Sequence, residues 1–409
     1  MIRKFLHLIG VVWQVLGAVA VTLAVLFLAW KIPLERREEK RYYQECNLND
    51  GPHVLWLDDS HVKITRVWFD RASRGFRAQE EIRRVEPNSR WLKTSEGDLP
   101  LEPAGATWPC ARAPSPQPAK IAAISDIHGQ YRLFRKLLEV AGVVDPSGNW
   151  VWSSNQLVIL GDIFDKGPSV TEALWLIKRL ERQAPQSGGQ VHFLLGNHDH
   201  LALRGESLTV HGKYRQTTES LHLRFQDLFG PHTELGGWVR RKDVAARING
   251  WLFVHGGISE PLLKQRLPLE ELNRLARLRL DPLALAKADL KDRALADLVG
   301  GPTGLLWHKG YFDASFPAGF LKAFRGAQEE AQAAGPVVEE ALRFYGSNRM
   351  VIGHTYLRRI RTMFGGKVVA ICRVQGGDDL LDRDSKGELL MIEGGQAFRV
   401  DLQGARERL

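Results

Sequence analysis

Leu157-Val158-Ile159-Leu160 runs straight into Gly161-Asp162-Ile163-Phe164-Asp165-Lys166-Gly167. A short apolar run that ends at a glycine suits a buried strand, and the two carboxylates then stand at its carboxyl end. The pattern recurs on both sides of it. Ile121–Ile124 leads into Ser125-Asp126-Ile127-His128-Gly129, and Val191–Leu195 into Gly196-Asn197-His198-Asp199. Trp251–Val254 leads into His255-Gly256-Gly257, and Met350–Ile352 into Gly353-His354-Thr355. Amphipathic stretches at Tyr131–Ala141 and Val170–Gln183 lie between the first runs. This alternation reads as a layered α/β fold, in which ligands gather beyond the carboxyl ends of strands. Loops far apart in the chain are therefore expected to meet at one place.

Carboxylate, imidazole and amide oxygen together suit manganese, iron or zinc. Two ions side by side need a shared carboxylate. Glycines at the turns let backbone pass close to ions and phosphate without a Cβ in the way. Any one of these fragments is a common surface turn. Five of them in order, each after a strand, are not. The chain has no Gly-x-Ser-x-Gly, no P-loop pattern and no His-Glu-x-x-His, which sets aside the hydrolases and nucleotide-binding enzymes built on those motifs.

The ordered set resembles the calcineurin-like metallophosphoesterases over about Lys120 to Thr355. It is most similar to their phosphoprotein phosphatase branch, which reads Asp-x-His, Gly-Asp-x-x-Asp-Arg-Gly, Gly-Asn-His-Glu/Asp, His-Gly-Gly and a final His. Leu306-Trp307-His308-Lys309-Gly310-Tyr311 further resembles a Trp-x-Arg-Gly-Tyr stretch of the Shewanella-like bacterial phosphatases. The resemblance implies a β-sandwich of two mixed sheets flanked by helices. It implies that Asp126, His128 and Asp162 hold a first metal, that Asp162 bridges, and that Asn197, His255 and His354 complete a second site. Manganese is the first expectation for the pair, with iron or zinc as alternatives. The implied chemistry is phosphoester hydrolysis by a bridging hydroxide, with His198 protonating the leaving oxygen and Asp165 orienting His198.

Two positions depart from the pattern: Lys166 and Lys309 stand where the family has arginine. Lysine supplies a point charge where arginine supplies a planar fork. Both are expected to bind substrate phosphate, with looser orientation. Asp199 stands where eukaryotic protein phosphatases have glutamate and dinucleotide tetraphosphatases often have aspartate. Three functions follow: a phosphomonoesterase acting on phosphorylated protein or small molecules, a nucleotide pyrophosphate or phosphodiester hydrolase, and a non-catalytic membrane-anchored binding protein. The intact ligand set favours the first two.

Phe5 to Trp30 is apolar apart from His7 and Gln14, long enough to cross a bilayer, and lacks a cleavage site after it. It reads as a single-pass anchor, with Trp13 and Trp30 toward the interfaces. Residues 1–34 are thus an anchor. Residues 35–118 form a charged juxtamembrane segment, a small β-rich module and a proline-rich linker. Residues 119–409 are the catalytic domain, with a helical insertion at about 262–300. Lys31, Arg36, Arg37, Lys40 and Arg41 outnumber Arg3 and Lys4 and put the catalytic domain in the cytosol. A Cys46–Cys110 bridge, together with the family resemblance, puts it outside; free thiols are the alternative reading of those two. Cys372 has no Cys-x-x-Cys partner, which sets aside a zinc knuckle. The net charge of +9 favours anionic partners, but no long basic block or reader motif points to nucleic acid. Arg358, Arg359 and Arg361 read as a solvated edge first and a substrate-steering patch second.

Overall fold

The computed structural model describes residues 49–70, 72–73, 75–86, 91–94, 97–102, 118–207, 209–312, 331–372, 374–375 and 386–409. Phe5–Trp30, Cys46 and Cys110 lie outside the described residues. Among the described residues no helix is long and apolar enough to cross a membrane. The chain divides into two compact units, Met1–Asn49 with Trp68–Gly75, and Asp50–Val67 with Phe76–Leu409. The second unit holds all five apolar runs and their polar turns.

Strands β1 (Asp50–Trp56), β2 (His61–Asp70) and β3 (Gly75–Arg84) form a small sheet, and β4 (Trp91–Thr94) pairs with β5 (Gly97–Pro100). The strand-like stretches of the small β-rich module, His53–Leu57, Val62–Phe69 and Trp91–Lys93, fall in β1, β2 and β4, except for Leu57, which follows β1. β3 gave no apolar signal because most of its side chains face solvent. β1 is docked by buried ions. Asp50 accepts from Thr171 and Thr217 hydroxyls at 3.0 and 2.9 Å, beside Lys213. Trp56 Nε1 donates to Glu234 at 2.6 Å, and Glu234 pairs with buried Lys178 at 2.9 Å.

The body is built on two mixed sheets. Its strands are β6 (Lys120–Ile124), β7 (Gln156–Ile159), β8 (Gln190–Phe193), β9 (Ala245–Ile248), β10 (Trp251–Val254) and β11 (Arg349–Ile352). They continue with β12 (Arg361–Met363), β13 (Val368–Ala370), β14 (Val374–Gln375), β15 (Lys386–Glu393), β16 (Gln396–Asp401) and β17 (Arg406–Arg408). One sheet has the order β17-β16-β15-β6-β7-β8, with β14 on β15; the other has β12-β13-β11-β10-β9. β6, β7 and β8 run parallel, as do β10 and β11, so the carboxyl ends within each set lie side by side.

Successive side chains on a strand point to opposite faces. Ile121, Ala123, Val158 and Leu160 face one core together with Phe253, Val351 and Leu390, which joins the two sheets. Ala122, Ile124, Leu157 and Ile159 face a second core shared with helices. Both faces of the central strands are dry, so these strands are unbroken apolar runs with no polar alternation.

The helices at Tyr131–Val140 and Val170–Gln183 match the amphipathic stretches, and both bury their apolar stripe. The Leu267–Leu298 stretch is three helices, Leu269–Arg279, Pro282–Lys287 and Leu290–Gly300. Asp281 and Asp289 break it by capping the helices that come after them, accepting backbone N–H bonds from Leu283 and Ala284 and from Asp292.

Candidate metal centre

Each of the five apolar runs delivers its polar turn to one place. The turns are bought with backbone strain: Asp126, His128, Asp162, Asp165, Lys166 and His354 all have positive φ, between 46° and 72°. Side-chain-bearing residues rarely adopt this region, and doing so costs on the order of 1 kcal/mol or more each. The glycines are required by close approach. A Cβ on Gly161 would lie 2.0 Å from Gly196 N, one on Gly196 2.2 Å from Asp162 Oδ1, and one on Gly353 2.0 Å from Ser125 Oγ.

Asp162 is the hub. Its Oδ2 lies 3.7 Å from His128 Nε2 and 3.3 Å from His255 Nε2. Its Oδ1 accepts the His198 backbone N–H at 2.9 Å. Two groups of ligand-type atoms, each within 4.8 Å of one another, share it: His128, Asp162 and His198, and Asp162, His255 and His354. Asp126 sits beside the first, with Oδ1 3.9 Å from His128 Nε2 and Oδ2 accepting from Ser125 Oγ at 2.6 Å and His354 N at 2.9 Å.

The proton positions argue for cations at this spot. His128 Nδ1 donates to Phe164 O at 2.8 Å, and His255 Nδ1 donates to Leu160 O at 2.5 Å. A ring nitrogen committed to a backbone carbonyl leaves the other nitrogen's lone pair free, as in metal-binding histidines. His255 Nε2 then faces only acceptors, Asn197 Oδ1 at 3.0 Å and Asp162 Oδ2. His354 Nε2 is buried with no hydrogen-bond partner among the described residues. Lone pairs converging here repel unless positive charge, a proton or a metal ion, sits among them.

The electrostatics agree. Burial pushes the His255 imidazole down, but the Asp162 charge and hydrogen bond outweigh it and hold it up at about 9. Asp162 itself is held well below the carboxylate range; burial opposes this and the His255 charge prevails. His128 is lowered by burial, and His354 is lowered to about 3 by burial and by the charges of His255 and Lys309. The site thus pulls positive charge to its centre while keeping two imidazoles neutral. Lys166 Nζ rests 2.7 Å from His128 Nε2, a side-chain cation drawn to the same lone pair. The residues therefore fit a pair of divalent ions, by donor type and by charge.

His198 stands at the start of the helix Asn197–Arg204, and its Nδ1 donates to Asp165 Oδ2 at 2.7 Å. Burial lowers its pKa, but the Asp165 hydrogen bond and the Asp162 charge leave it raised. Asp165 is lowered despite burial, by hydrogen bonds from His198 and Ser207 and by the nearby Thr209 side chain. Lys309 is exposed, near enough for its charge to act on His354. Trp307 packs edge-on against His354, with ring centroids 5.9 Å apart. Arg359 is engaged elsewhere, pairing with Glu388 at 3.1 Å and Glu407 at 3.0 Å, so it belongs to a salt-bridged edge and not to a substrate patch.

Some contacts of the site left no mark in the sequence, although Tyr311 itself closes the Trp307–Tyr311 motif. Buried Cys372 carries its thiol against Asp126. Tyr311 clamps the loop after His255, its hydroxyl donating to Ile258 O and accepting from Ile258 N, both at 2.9 Å. Asp199, legible only as a family marker, accepts four backbone N–H bonds, from Asp162, Ile163, Phe164 and Gly196. No spacing rule points to any of these contacts.

Fold and site together place the chain in one family. The chain belongs to the calcineurin-like phosphoesterase family, whose model matches residues 119–357, more than half of its length. It is 31% identical over 110 residues to Shewanella-like protein phosphatase 2 of Arabidopsis thaliana, covering 27% of this chain and 26% of that protein. It is 30% identical over 138 residues to a symmetrical bis(5'-nucleosyl)-tetraphosphatase of Aromatoleum aromaticum, covering 34% of this chain and 44% of that one. The chain thus spans less than half the length of either relative. Among solved structures it is similar to the cold-active protein-tyrosine phosphatase of a psychrophilic Shewanella, with a TM-score of 0.69 and 29% identity, over 88% of this chain and 99% of that one.

Proposed function

We propose that this chain is a phosphomonoesterase with two divalent ions, manganese first among them, that hydrolyses phosphorylated proteins or small molecules. The observation that carries this is the meeting of His128 Nε2, His255 Nε2 and Asn197 Oδ1 around the Asp162 carboxylate, with both histidines fixed through Nδ1. Asp126, His128 and Asp162 would hold one ion, and Asp162, Asn197, His255 and His354 the other. When bound, the ions would supply positive charge to the phosphoryl oxygens and lower the pKa of water.

The chain's own residues do the rest. In the overall reaction a water oxygen bonds to phosphorus and the bond from phosphorus to the ester oxygen breaks, its electron pair leaving with that oxygen. His198, protonated and held through Nδ1 by Asp165, delivers its Nε2 proton to the departing oxygen. The products are the alcohol or phenol and inorganic phosphate. Lys166 and Lys309 bring point charges to the phosphoryl group. Phe5–Trp30 tethers the enzyme to a membrane; a reporter fused to the C-terminus tests on which side it works.

A second reading, hydrolysis of nucleotide pyrophosphates or diesters, is favoured by the tetraphosphatase relative. The full chain is assayed with manganese against an aryl monoester, a phosphotyrosyl peptide, an aryl diester and a dinucleoside polyphosphate. Preference for the monoesters, abolished in Asp162→Asn together with bound manganese, is expected. Preference for the diester or polyphosphate overturns the monoesterase reading. Absence of turnover with any divalent metal leaves a binding protein.

A further inference from the structure

Asp165 is the one member of the acid pair with a second set of partners, and these come from a loop with no metal ligand in it. The helix Asn197–Arg204 begins with His198 and ends at Gly205 in the left-handed conformation. The chain then turns back. Ser207 Oγ donates to Asp165 Oδ1, while His198 holds Oδ2. The Thr209 side chain stands near enough to help hold the Asp165 carboxyl down, and Thr209 O accepts the Lys166 backbone N–H at 2.9 Å. One short excursion thus supplies the imidazole at its start and a clasp on the imidazole's partner at its end.

We infer that Ser207 and Thr209 are positioning residues for the acid step, acting through Asp165 to aim His198 at the leaving oxygen. This rests on the general-acid reading above. A carboxylate held through one oxygen can swing about its last torsion and carry the imidazole with it. Held through both, its plane is set, and the His198 ring that bonds to Oδ2 is set with it. Asp165 and Lys166 sit at φ of 72° and 64°, conformations that persist only when neighbours determine them. The two hydroxyls and the Thr209 carbonyl are such neighbours.

The test uses the full-length chain in detergent, loaded with manganese, and two substrates that differ in their need for a proton. Dinitrophenyl phosphate releases a stable anion; phenyl phosphate releases an oxygen that must be protonated. In Ser207→Ala/Thr209→Val, kcat on phenyl phosphate falls about tenfold or more, a fraction of what general acids contribute, and kcat on dinitrophenyl phosphate falls less than about threefold. KM on both esters and bound manganese stay at the parent values, and Ser207→Thr, which keeps the hydroxyl, retains activity on phenyl phosphate. Equal losses on the two esters, no loss on either, or loss of manganese overturns the inference. Asp165→Asn is measured beside them. If it shows the selective loss and the double variant does not, only the role of Ser207 and Thr209 falls. If Asp165→Asn loses equally on both esters, the general-acid reading fails and this inference with it.

Discussion

Asp199 carries its carboxylate under the turn of Asp162, accepting the Asp162 backbone N–H at 2.8 Å. Its two oxygens also take the amides of Ile163, Phe164 and Gly196, at 2.9, 3.2 and 2.8 Å. One buried side chain thereby fastens the β7 turn to the β8 turn. Burial and the charge of Asp162 push its carboxyl up, to about 7, against the four donors that favour the anion.

Asp199→Asn keeps the volume but replaces one oxygen by an NH2 group, which faces backbone donors. Leaving buried donors unpaired costs about 1–3 kcal/mol each. We expect a lower denaturant midpoint and manganese affinity weaker by about 10–100-fold, the usual effect of disturbing the groups behind metal ligands. Isothermal titration with manganese and an unfolding curve measure the two. Parent values in both would mean that the clasp is dispensable.

Gly353→Ala tests the approach of β11 to β6. The new Cβ would stand 2.0 Å from Ser125 Oγ and 2.8 Å from Asp126 Oδ2, so the Asp126 carboxylate must move. Reduced manganese occupancy is expected with little change in far-ultraviolet circular dichroism. Full occupancy would show that Ser125 and Asp126 yield without cost.

Lys166 bears on metal and substrate in opposite senses. Its Nζ lies 2.7 Å from His128 Nε2, and a cation there repels an incoming divalent ion. Lys166→Gln should raise manganese affinity severalfold, a modest gain because the side chain is exposed. The same change should raise KM, because a charge on the phosphoryl group is lost. Lys166→Arg should keep KM and raise kcat on monoesters through its planar fork. Metal titration and steady-state kinetics separate these effects; a fall in both metal and substrate affinity for Lys166→Gln would contradict the account.

Three histidines away from the ligand set make stability fall in acid. His200 is depressed to about 3 by burial and then by the charges of Arg279, Arg204 and Arg240. His211 is depressed to about 4 by burial, Lys213 and Arg215, and His308 to about 4 by burial. Each is neutral in the fold and, in the unfolded chain, protonates at about 6.5. Between those values the unfolded state binds more protons, so stability is complete above about pH 6.5 and declines as pH falls toward 4. Urea unfolding at a series of pH values reads the slope. Neither ring nitrogen of His200 meets a hydrogen-bond partner among the described residues. His200→Leu should therefore flatten the slope and leave neutral-pH stability equal or higher; a steeper slope would refute this.

Strands β6, β7, β10 and β11 could be read from the chain because each carries an unbroken apolar run between two dry cores; β8 could be read although it holds His192, buried against Gln156. The place of the C-terminal strands could not. β15 carries the apolar run Leu389–Ile392, but its partner β6, paired as Leu390 with Ala123, lies at the far end of the domain's sequence. Its place depends on a long-range register that no local pattern encodes.

The residue types that meet at the candidate site were likewise legible, since metal chemistry restricts such donors to a few residues and the turns require glycine beside them. The contacts that orient those ligands were not. Ser207, Thr209, Asp199, Tyr311 and Cys372 meet their partners only when separate turns are brought together. Local apolar periodicity and turn chemistry are properties of neighbouring residues, so the sequence alone determined the layered fold and the donor set. The aim of each donor is a property of groups far apart in the chain, and only the packing of the two sheets and their loops decided it.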